Sequence, residues 1–228
     1  MRASIFHSRR CAGVHGLTRA QGKAKAQHGG SLIEVLVTMV ILMVGLLGLV
    51  GLMVQAQRGQ VESYQRIQAL VVLQDMVGRV NANRKAAPCY VTATFVGTAG
   101  PSLVACATGT AEQKTRANDD LFEWQQLLLG SAETVSSGGV TSNVGAMIGA
   151  RGCVNLIQTG AAVAPPGVAT AVYRVTVAWQ GQSATAAPPS AGGIFVAIPC
   201  ASGQYGAENL RRVVYEDVQI VDLLALPL

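Results

Sequence analysis

The sequence predicts an α+β protein in which one long N-terminal helix precedes a domain built on an antiparallel β-sheet. Three patterns indicate this: an almost purely apolar run from Val35 to Val54, an amphipathic continuation without proline to about residue 85, and alternating apolar segments late in the chain. The run comprises twenty residues. At about 1.5 Å per helical residue it is long enough to cross a bilayer core of about 30 Å.

The helix is expected to continue past the apolar run. Apolar residues follow at three-and-four spacing: Val61, Tyr64, Ile67, Val71, Leu73, Met76, Val77 and Val80. Pro88 prevents further continuation because it lacks a backbone N–H donor. The pattern therefore predicts one helix over about 31–85, whose first half spans a membrane.

The remaining chain is long enough for one modest domain. We expect three parts: residues 1–29 as a basic leader, 30–86 as the transmembrane and stalk helix, and 87–228 as an α+β domain. A short helix is predicted at 118–130, capped by its Asx residues. Alternation between apolar and polar residues predicts strands at 155–158, 171–180, 193–198 and 210–221.

Positive charge is concentrated at the N-terminus. Residues 1–29 carry six of the 17 Lys and Arg residues and no acid, so removing them changes the formal charge from +5 to −1. The basic pI therefore belongs to the leader, and it is poor evidence for nucleic-acid binding. Short basic segments beside a membrane span stay in the cytoplasm, which places the rest of the chain on the other side.

Glu34 is the one charged residue between Gly30 and Arg58. An acid carried to the centre of a bilayer costs about 2.5–3.5 kcal/mol, so it is expected to have a function and a partner. A carboxylate that merely reaches back to the lipid headgroups is the simpler alternative. For the segment as a whole, a cleaved signal peptide and an uncleaved signal-anchor are the other interpretations.

A basic leader that ends at Gly29, a short spacer, Glu34 and about twenty apolar residues resembles the prepilin leader of type IV pilins and type II secretion pseudopilins. The resemblance implies that prepilin peptidase cleaves after Gly29 and N-methylates the new amine of Gly30. Glu34 then becomes the fifth residue of the processed chain, which is the spacing of the family. The first processed residue is usually Phe or Met, so Gly30 departs from the family pattern.

The resemblance also implies the partners and the location. Glu34 is expected to act in assembly by meeting the protonated terminal amine of a neighbouring subunit. The implied partners are prepilin peptidase, other minor pilins, the major pilin, the inner-membrane assembly platform and the membrane itself. The chain would cross the bacterial inner membrane once, with its N-terminus cytoplasmic and its C-terminal domain periplasmic, before it enters a cell-surface pilus.

Cysteine usage suits an oxidising compartment. Cys11 lies in the leader, and the four that remain are Cys89, Cys106, Cys153 and Cys200. Four cysteines allow three disulfide connectivities. Sequential pairing, Cys89 with Cys106 and Cys153 with Cys200, is favoured because each pair brackets local structure. A zinc site is the alternative, but the close ligand pairs of zinc ribbons are absent from the sequence.

Short strings outside the leader resemble the PilV-type minor pilins. They are Asp75-Met-Val-Gly-Arg79 with the following Asn81-Ala-Asn83-Arg84, then Val175-Thr-Val-Ala-Trp179-Gln-Gly, and the block from Cys200 through Tyr205 to Val214. The resemblance implies a structural subunit that takes part in type IV pilus assembly or initiation. A type II secretion pseudopilin shares every leader feature, and a pilus-tip module for adhesion or DNA binding is the other alternative.

An enzyme is not expected. All three histidines lie in the leader, so the processed chain lacks the commonest proton shuttle and metal-binding nitrogen. We expect no cofactor, no metal and no small-molecule substrate. Calcium held by Asp119, Asp120 and Glu123 is a minor alternative, and so is a DNA contact by Arg211 and Arg212, two residues whose charge is more simply interpreted as surface charge.

Overall fold

The computed structural model describes residues 31–98, 106–145, 147–159, 170–189 and 197–221. The chain divides into two compact units, residues 1–49 and 50–228. In the first unit the described part is the beginning of a helix. In the second it is the continuation of that helix and an α+β domain. The leader expected at 1–29 lies outside the described residues, and the expected domain boundaries stay predictions.

The elements follow one another in the order helix, helix, hairpin, three-stranded sheet. They are α1 (Leu32–Ala82), a 3₁₀ helix (Arg84–Tyr90), α2 (Ala111–Leu128), β1 (Thr134–Ser137), β2 (Val140–Asn143), β3 (Arg151–Gln158), β4 (Thr170–Gln180), a 3₁₀ helix (Glu208–Leu210) and β5 (Arg211–Val221). The sheet has the order β3-β4-β5 with both pairings antiparallel, and β1 pairs with β2 alone. The predicted fold class, a long N-terminal helix followed by an antiparallel sheet domain, is confirmed.

The second half of α1 supplies one wall of the core. Its buried residues are Gln65, Ala69, Val72, Leu73, Met76, Val77 and Val80. The first four members of the predicted apolar stripe differ, because Val61, Tyr64, Ile67 and Val71 are 41–60% exposed. Three-and-four spacing therefore identified the helix, but the described chain leaves the first four residues of the stripe largely uncovered.

Helix α1 ends three residues before the predicted position. The chain leaves the α-helix after Ala82, and the amide of Asn83 is buried, where its Nδ2 donates to the carbonyl oxygen of Gln113 at 2.8 Å. The following 3₁₀ helix contains Pro88. Asn83 thus ties the end of α1 to α2, a long-range contact that sequence spacing does not reveal.

The start of α2 was predicted wrongly. The helix begins at Ala111 and not near residue 118, because Thr110 and Gln113 form a capping box: the Thr110 hydroxyl accepts from the Gln113 N–H, and the Gln113 side chain accepts from the Thr110 N–H. Asp119 and Asp120 therefore lie inside the helix and do not cap it. The predicted core face of α2 is confirmed, since Leu121, Trp124 and Leu128 are buried.

Trp124 is the centre of the core. It is fully buried, and its indole Nε1 donates to the Val72 carbonyl oxygen of α1 at 2.9 Å. Gly152 of β3 lies against the ring, where an added Cβ would come within 2.2 Å of it. Only glycine fits there, so this single position lets α2 pack against the sheet.

Strand β4 is buried on both faces. Tyr173, Val175, Val177 and Trp179 belong to the main core cluster, as predicted for one face. On the other face, Ala178 packs with Cys153, Cys200 and Tyr205 in a second cluster. Arg174 on that face is also buried, and its guanidinium binds both carboxylate oxygens of Asp217 at 2.7 Å.

The other strands agree with the sequence in part. The predicted strand at 210–221 corresponds to β5, and the predicted short strand at 155–158 is the end of a longer one, β3. Of the predicted strand at 193–198, residues 197 and 198 are described and lie outside any strand, and the rest fall outside the described residues. The β1–β2 hairpin was not predicted. It turns at Gly138 and Gly139, both with positive φ.

Two disulfides stabilise the domain. Cys89 is bonded to Cys106 with a Cα–Cα distance of 4.9 Å, and Cys153 to Cys200 with one of 5.9 Å. This is the pairing of sequential cysteines that the sequence favoured. The second bond links β3 to the segment that precedes β5. All four thiols are used in this way, so none is left as a zinc ligand.

Candidate functional site

The beginning of α1 exposes a long apolar surface. Every residue from Ser31 to Val61 is exposed, and the large apolar side chains between Leu32 and Val54 have exposed fractions from 43% to 79%. Among the described residues, α1 is the one helix that is long and apolar enough to cross a membrane, and none of its apolar window is buried. The core helix of a soluble protein would have lost this surface to its own domain.

Glu34 lies in the first turn of α1. The N–H groups of Glu34 and Val35 both donate to the Ser31 carbonyl oxygen, at 2.8 and 3.3 Å, so the helix starts directly before the acid. The Glu34 side chain is exposed and makes no ion pair or hydrogen bond with any residue of the described chain. The helix dipole favours an acid here by about 0.3–1 kcal/mol. The stabilisation by the helix dipole is therefore smaller than the cost of placing a carboxylate at the centre of a bilayer, about 2.5–3.5 kcal/mol.

The predicted processing site lies just before this helix. Gly29 and Gly30 fall outside the described residues, so cleavage after Gly29 and methylation at Gly30 stay predictions. What the structure adds is the local setting of the next residues. A regular helix begins at Leu32, directly after Ser31, and it carries both Glu34 and the apolar side chains that follow.

Two of the three candidate calcium ligands, Asp120 and Glu123, are bound by an arginine, whereas Asp119 is exposed and not bound by it. Arg79 Nη1 donates to Asp120 at 3.0 Å and to Glu123 at 2.6 Å, and its Nε donates to Asp75 at 2.7 Å. Asp120 also accepts a hydrogen bond from the hydroxyl of Tyr90. Burial of the phenol and this hydrogen bond to a carboxylate both raise the pKa of Tyr90. In the described part of the chain, no group of three or more metal-binding side chains comes together.

The two adjacent arginines of β5 do not form a free basic surface. Arg211 is 3% exposed, and its guanidinium binds Glu208 and the carbonyl oxygens of Ile198 and Cys200. Arg212 binds Glu62 of α1 at 2.7 Å. The interpretation of both as surface charge was therefore wrong, and their engagement also weighs against a DNA contact.

Of the two ion pairs that these arginines form, the sequence indicates the pair with Glu208 and gives no sign of the pair with Glu62. Glu208 precedes Arg211 by three residues, a spacing that brings side chains together in a helical turn. Hydrogen bonds from the Gly203 N–H and from Arg211 hold the pKa of Glu208 below its ordinary value. Glu62 is 150 residues from Arg212, and no sequence pattern connects them.

Comparison with known proteins identifies the N-terminal segment. The family model described as the prokaryotic N-terminal methylation motif matches residues 24–50. That interval contains Gly29, Gly30, Glu34 and most of the exposed apolar helix. No curated protein and no solved structure matches the chain significantly.

The match supports a type IV pilin-type protein. More particularly, the motif and the apolar helix indicate a type IV pilin or pseudopilin that prepilin peptidase processes and that is anchored in a membrane in the context of pilus assembly. The two disulfides of the domain fit a protein of this class.

Proposed function

We propose that this chain is a minor pilin of the PilV type, a non-enzymatic structural subunit in the assembly or initiation of a type IV pilus. Prepilin peptidase cleaves after Gly29 and methylates Gly30. The processed chain then crosses the inner membrane once with its domain in the periplasm. From there it joins other minor pilins and the major pilin through the assembly platform.

One observation supports this proposal most directly. The methylation motif matches residues 24–50, and within it Glu34 is the single charge in the first turn of α1, whose large apolar side chains from Leu32 to Val54 are all exposed. A helix with such a surface needs lipid or other helices around it. After cleavage, the terminal amine of a neighbouring subunit is the cation that would offset the cost of burying Glu34.

The alternatives share the leader and differ in the domain. A type II secretion pseudopilin would have the same processing and the same helix. A pilus-tip module for DNA binding has less support, because the processed chain carries a formal charge of −1 and Arg211 and Arg212 are engaged within the domain. We therefore propose the pilus subunit and retain the pseudopilin as the second candidate.

Cleavage is tested by co-expressing the full chain with a prepilin peptidase and determining the N-terminus by mass spectrometry. The expected product begins at Gly30. A Gly29→Ala variant serves as control and should retain the leader. A product that begins after Val54 would show a cleaved signal peptide and refute the proposal.

The role of Glu34 is tested by Glu34→Gln, which keeps the shape of the side chain and removes its charge. We expect normal cleavage but at least a tenfold lower yield of the subunit in sheared pili, measured by immunoblot, because a lost buried ion pair leaves one charge uncompensated. Glu112→Gln is the matched control, since Glu112 is an exposed acid in the first turn of α2. If both variants enter pili equally, Glu34 has no role in assembly.

A further inference from the structure

The two disulfides of the domain differ in their access to solvent. Cys106 is partly exposed, whereas Cys89, Cys153 and Cys200 are 3–5% exposed. The bond between Cys153 and Cys200 lies in a small buried cluster. The other residues of this cluster are Ala178, Ala201 and Tyr205, with Phe95 and Val213 packed against them. A reagent in solution can therefore reach one bridge through Cys106, and it meets the other only when the cluster opens.

Thiol–disulfide exchange depends on this access. A thiolate attacks one sulfur atom of a disulfide, a mixed disulfide forms, and the second sulfur leaves. Only the attacked sulfur needs an open approach, so a buried Cys89 does not protect a bridge whose other sulfur belongs to the partly exposed Cys106. The second bridge has a buried cysteine at both ends and is protected in the folded domain.

The surroundings of the first bridge also suit its reduced form. The Thr108 carbonyl oxygen lies 3.5 Å from Cys89 Sγ and 3.6 Å from Cys106 Sγ, and the Thr108 hydroxyl lies 3.4 Å from Cys106 Sγ. A sulfur in a disulfide carries no proton, whereas a thiol is a weak donor. Both thiols of the reduced pair thus have an acceptor in place. At the second bridge, Cys200 Sγ is 4.0 Å from the Thr176 carbonyl oxygen, a longer contact.

Non-covalent contacts join the same parts of the chain beside the first bridge. The Asn83 amide donates to the Gln113 carbonyl oxygen at 2.8 Å, and the Tyr90 hydroxyl donates to the Asp120 carboxylate. Both contacts link the region of the first 3₁₀ helix to α2, and neither involves a sulfur atom. Breaking the bridge therefore removes one of several links, and the domain is expected to stay folded.

We infer that the Cys89–Cys106 bridge is a thiol–disulfide exchange site, which a dithiol protein opens and closes by attack at Cys106 while the domain stays folded. The second bridge is closed to the same protein. Opening the first bridge releases the segment before α2 from the first 3₁₀ helix, so the partner sets how tightly this end of the domain is held. The inference does not depend on the pilus assignment.

The exchange balances in atoms and electrons. A thiolate of the dithiol bonds to Cys106 Sγ, and the Cys89 sulfur leaves with the electron pair of the broken S–S bond and takes the proton of the second thiol. That second sulfur then attacks the first sulfur of the dithiol, and the Cys106 sulfur leaves and takes up the proton that the first thiol had released. The chain gains two thiols, and the dithiol protein becomes a disulfide. The reverse reaction restores the bridge.

The rate of reduction of each bridge is the first test. The full chain in detergent is treated with reduced thioredoxin, quenched at intervals with N-ethylmaleimide and mapped by peptide mass spectrometry. In the folded chain, Cys89 and Cys106 should be labelled at least about tenfold faster than Cys153 and Cys200, because exchange requires an accessible sulfur. Tryptophan fluorescence should not change, since both tryptophans lie in the core. In urea that unfolds the domain, the two rates should come within about threefold.

The position of attack is the second test. A thioredoxin variant that lacks its second cysteine leaves the mixed disulfide in place, and peptide mapping should find it on Cys106. The chain with Cys153→Ser and Cys200→Ser should form the same adduct. The matched chain with Cys89→Ser and Cys106→Ser should form none, because its remaining bridge is buried.

Four results would overturn the inference. They are equal reduction of both bridges in the folded chain, no reduction before the domain unfolds, a mixed disulfide on a cysteine other than Cys106, or a change of tryptophan fluorescence that accompanies reduction. None of these measurements depends on cleavage after Gly29 or on entry into a pilus. Their failure would therefore leave the proposed function as it stands.

Discussion

Two leucines of α1 show how differently the two parts of this helix are used. Leu47 is 72% exposed and Leu73 is 1% exposed, although both belong to apolar stretches of one helix. In the second part, the domain supplies α2 and β4 as packing partners. In the first part, the described chain supplies none. Apolar composition therefore makes a segment need burial, but the surroundings decide whether burial comes from the same chain, from lipid or from another subunit.

Charges show the same contrast. In the domain, acids such as Asp120 and Asp217 are held by arginines of the same chain. Glu34 has no cation within reach in the described residues. The acids of the domain therefore have cations of the same molecule as partners, whereas Glu34 has none in the described chain. The proposed assembly role predicts this difference. Variants that destabilise the domain should therefore leave the first part of α1 unaffected.

Removing the disulfides should separate the two parts most clearly. Cys153→Ser with Cys200→Ser opens a loop of 47 residues, and the chain-entropy relation gives a loss of about 4 kcal/mol. Cys89→Ser with Cys106→Ser opens a loop of 17 residues and should cost about 3 kcal/mol. Trp124 and Trp179 are the two tryptophans of the chain and both are buried in the domain core, so fluorescence during denaturation reports the domain alone.

The first part of α1 should not respond to these changes. Both double variants are expected to remain in the membrane fraction after alkaline extraction, because no disulfide touches residues 32–54. Loss of membrane retention in either variant would mean that the domain, and not the apolar helix, holds the chain in the membrane.

Truncating the two leucines tests the comparison directly. Leu73→Ala removes a buried side chain and should lower the free energy of unfolding of the domain by about 3 kcal/mol. Leu47→Ala makes the same chemical change at an exposed position and should leave domain unfolding unchanged within about 0.5 kcal/mol. Similar losses for both would show that the domain contacts the first part of the helix.

The smallest expected effect concerns the cap of α2. Thr110→Ala removes the hydroxyl that accepts from the Gln113 N–H and should cost about 1 kcal/mol. Thr115→Ala is the control within the same helix, because the Thr115 hydroxyl only donates to the preceding turn at Ala111 and caps nothing. A neutral Thr110→Ala would indicate that the start of α2 is fixed by packing and not by its capping box.

The sequence by itself determined the features that depend on long or regular patterns. The extent of the apolar run follows from its length and composition. Periodicity predicts the continuation of α1, the core face of α2 and the strands β4 and β5. The sequence also identifies Glu34, because a lone charge in an apolar segment is costly to place in a membrane. The resemblance of residues 24–50 to a prepilin leader needs only local spacing.

Tertiary structure alone decided which residues meet across the fold. Nothing in the spacing of Glu62 and Arg212 connects them, and the burial of Arg174 and Arg211 follows from partners on other elements. The same holds for Gly152, whose missing side chain makes room for Trp124. Local patterns report what a segment prefers, whereas the burial of a polar group depends on a partner that only the folded chain brings near.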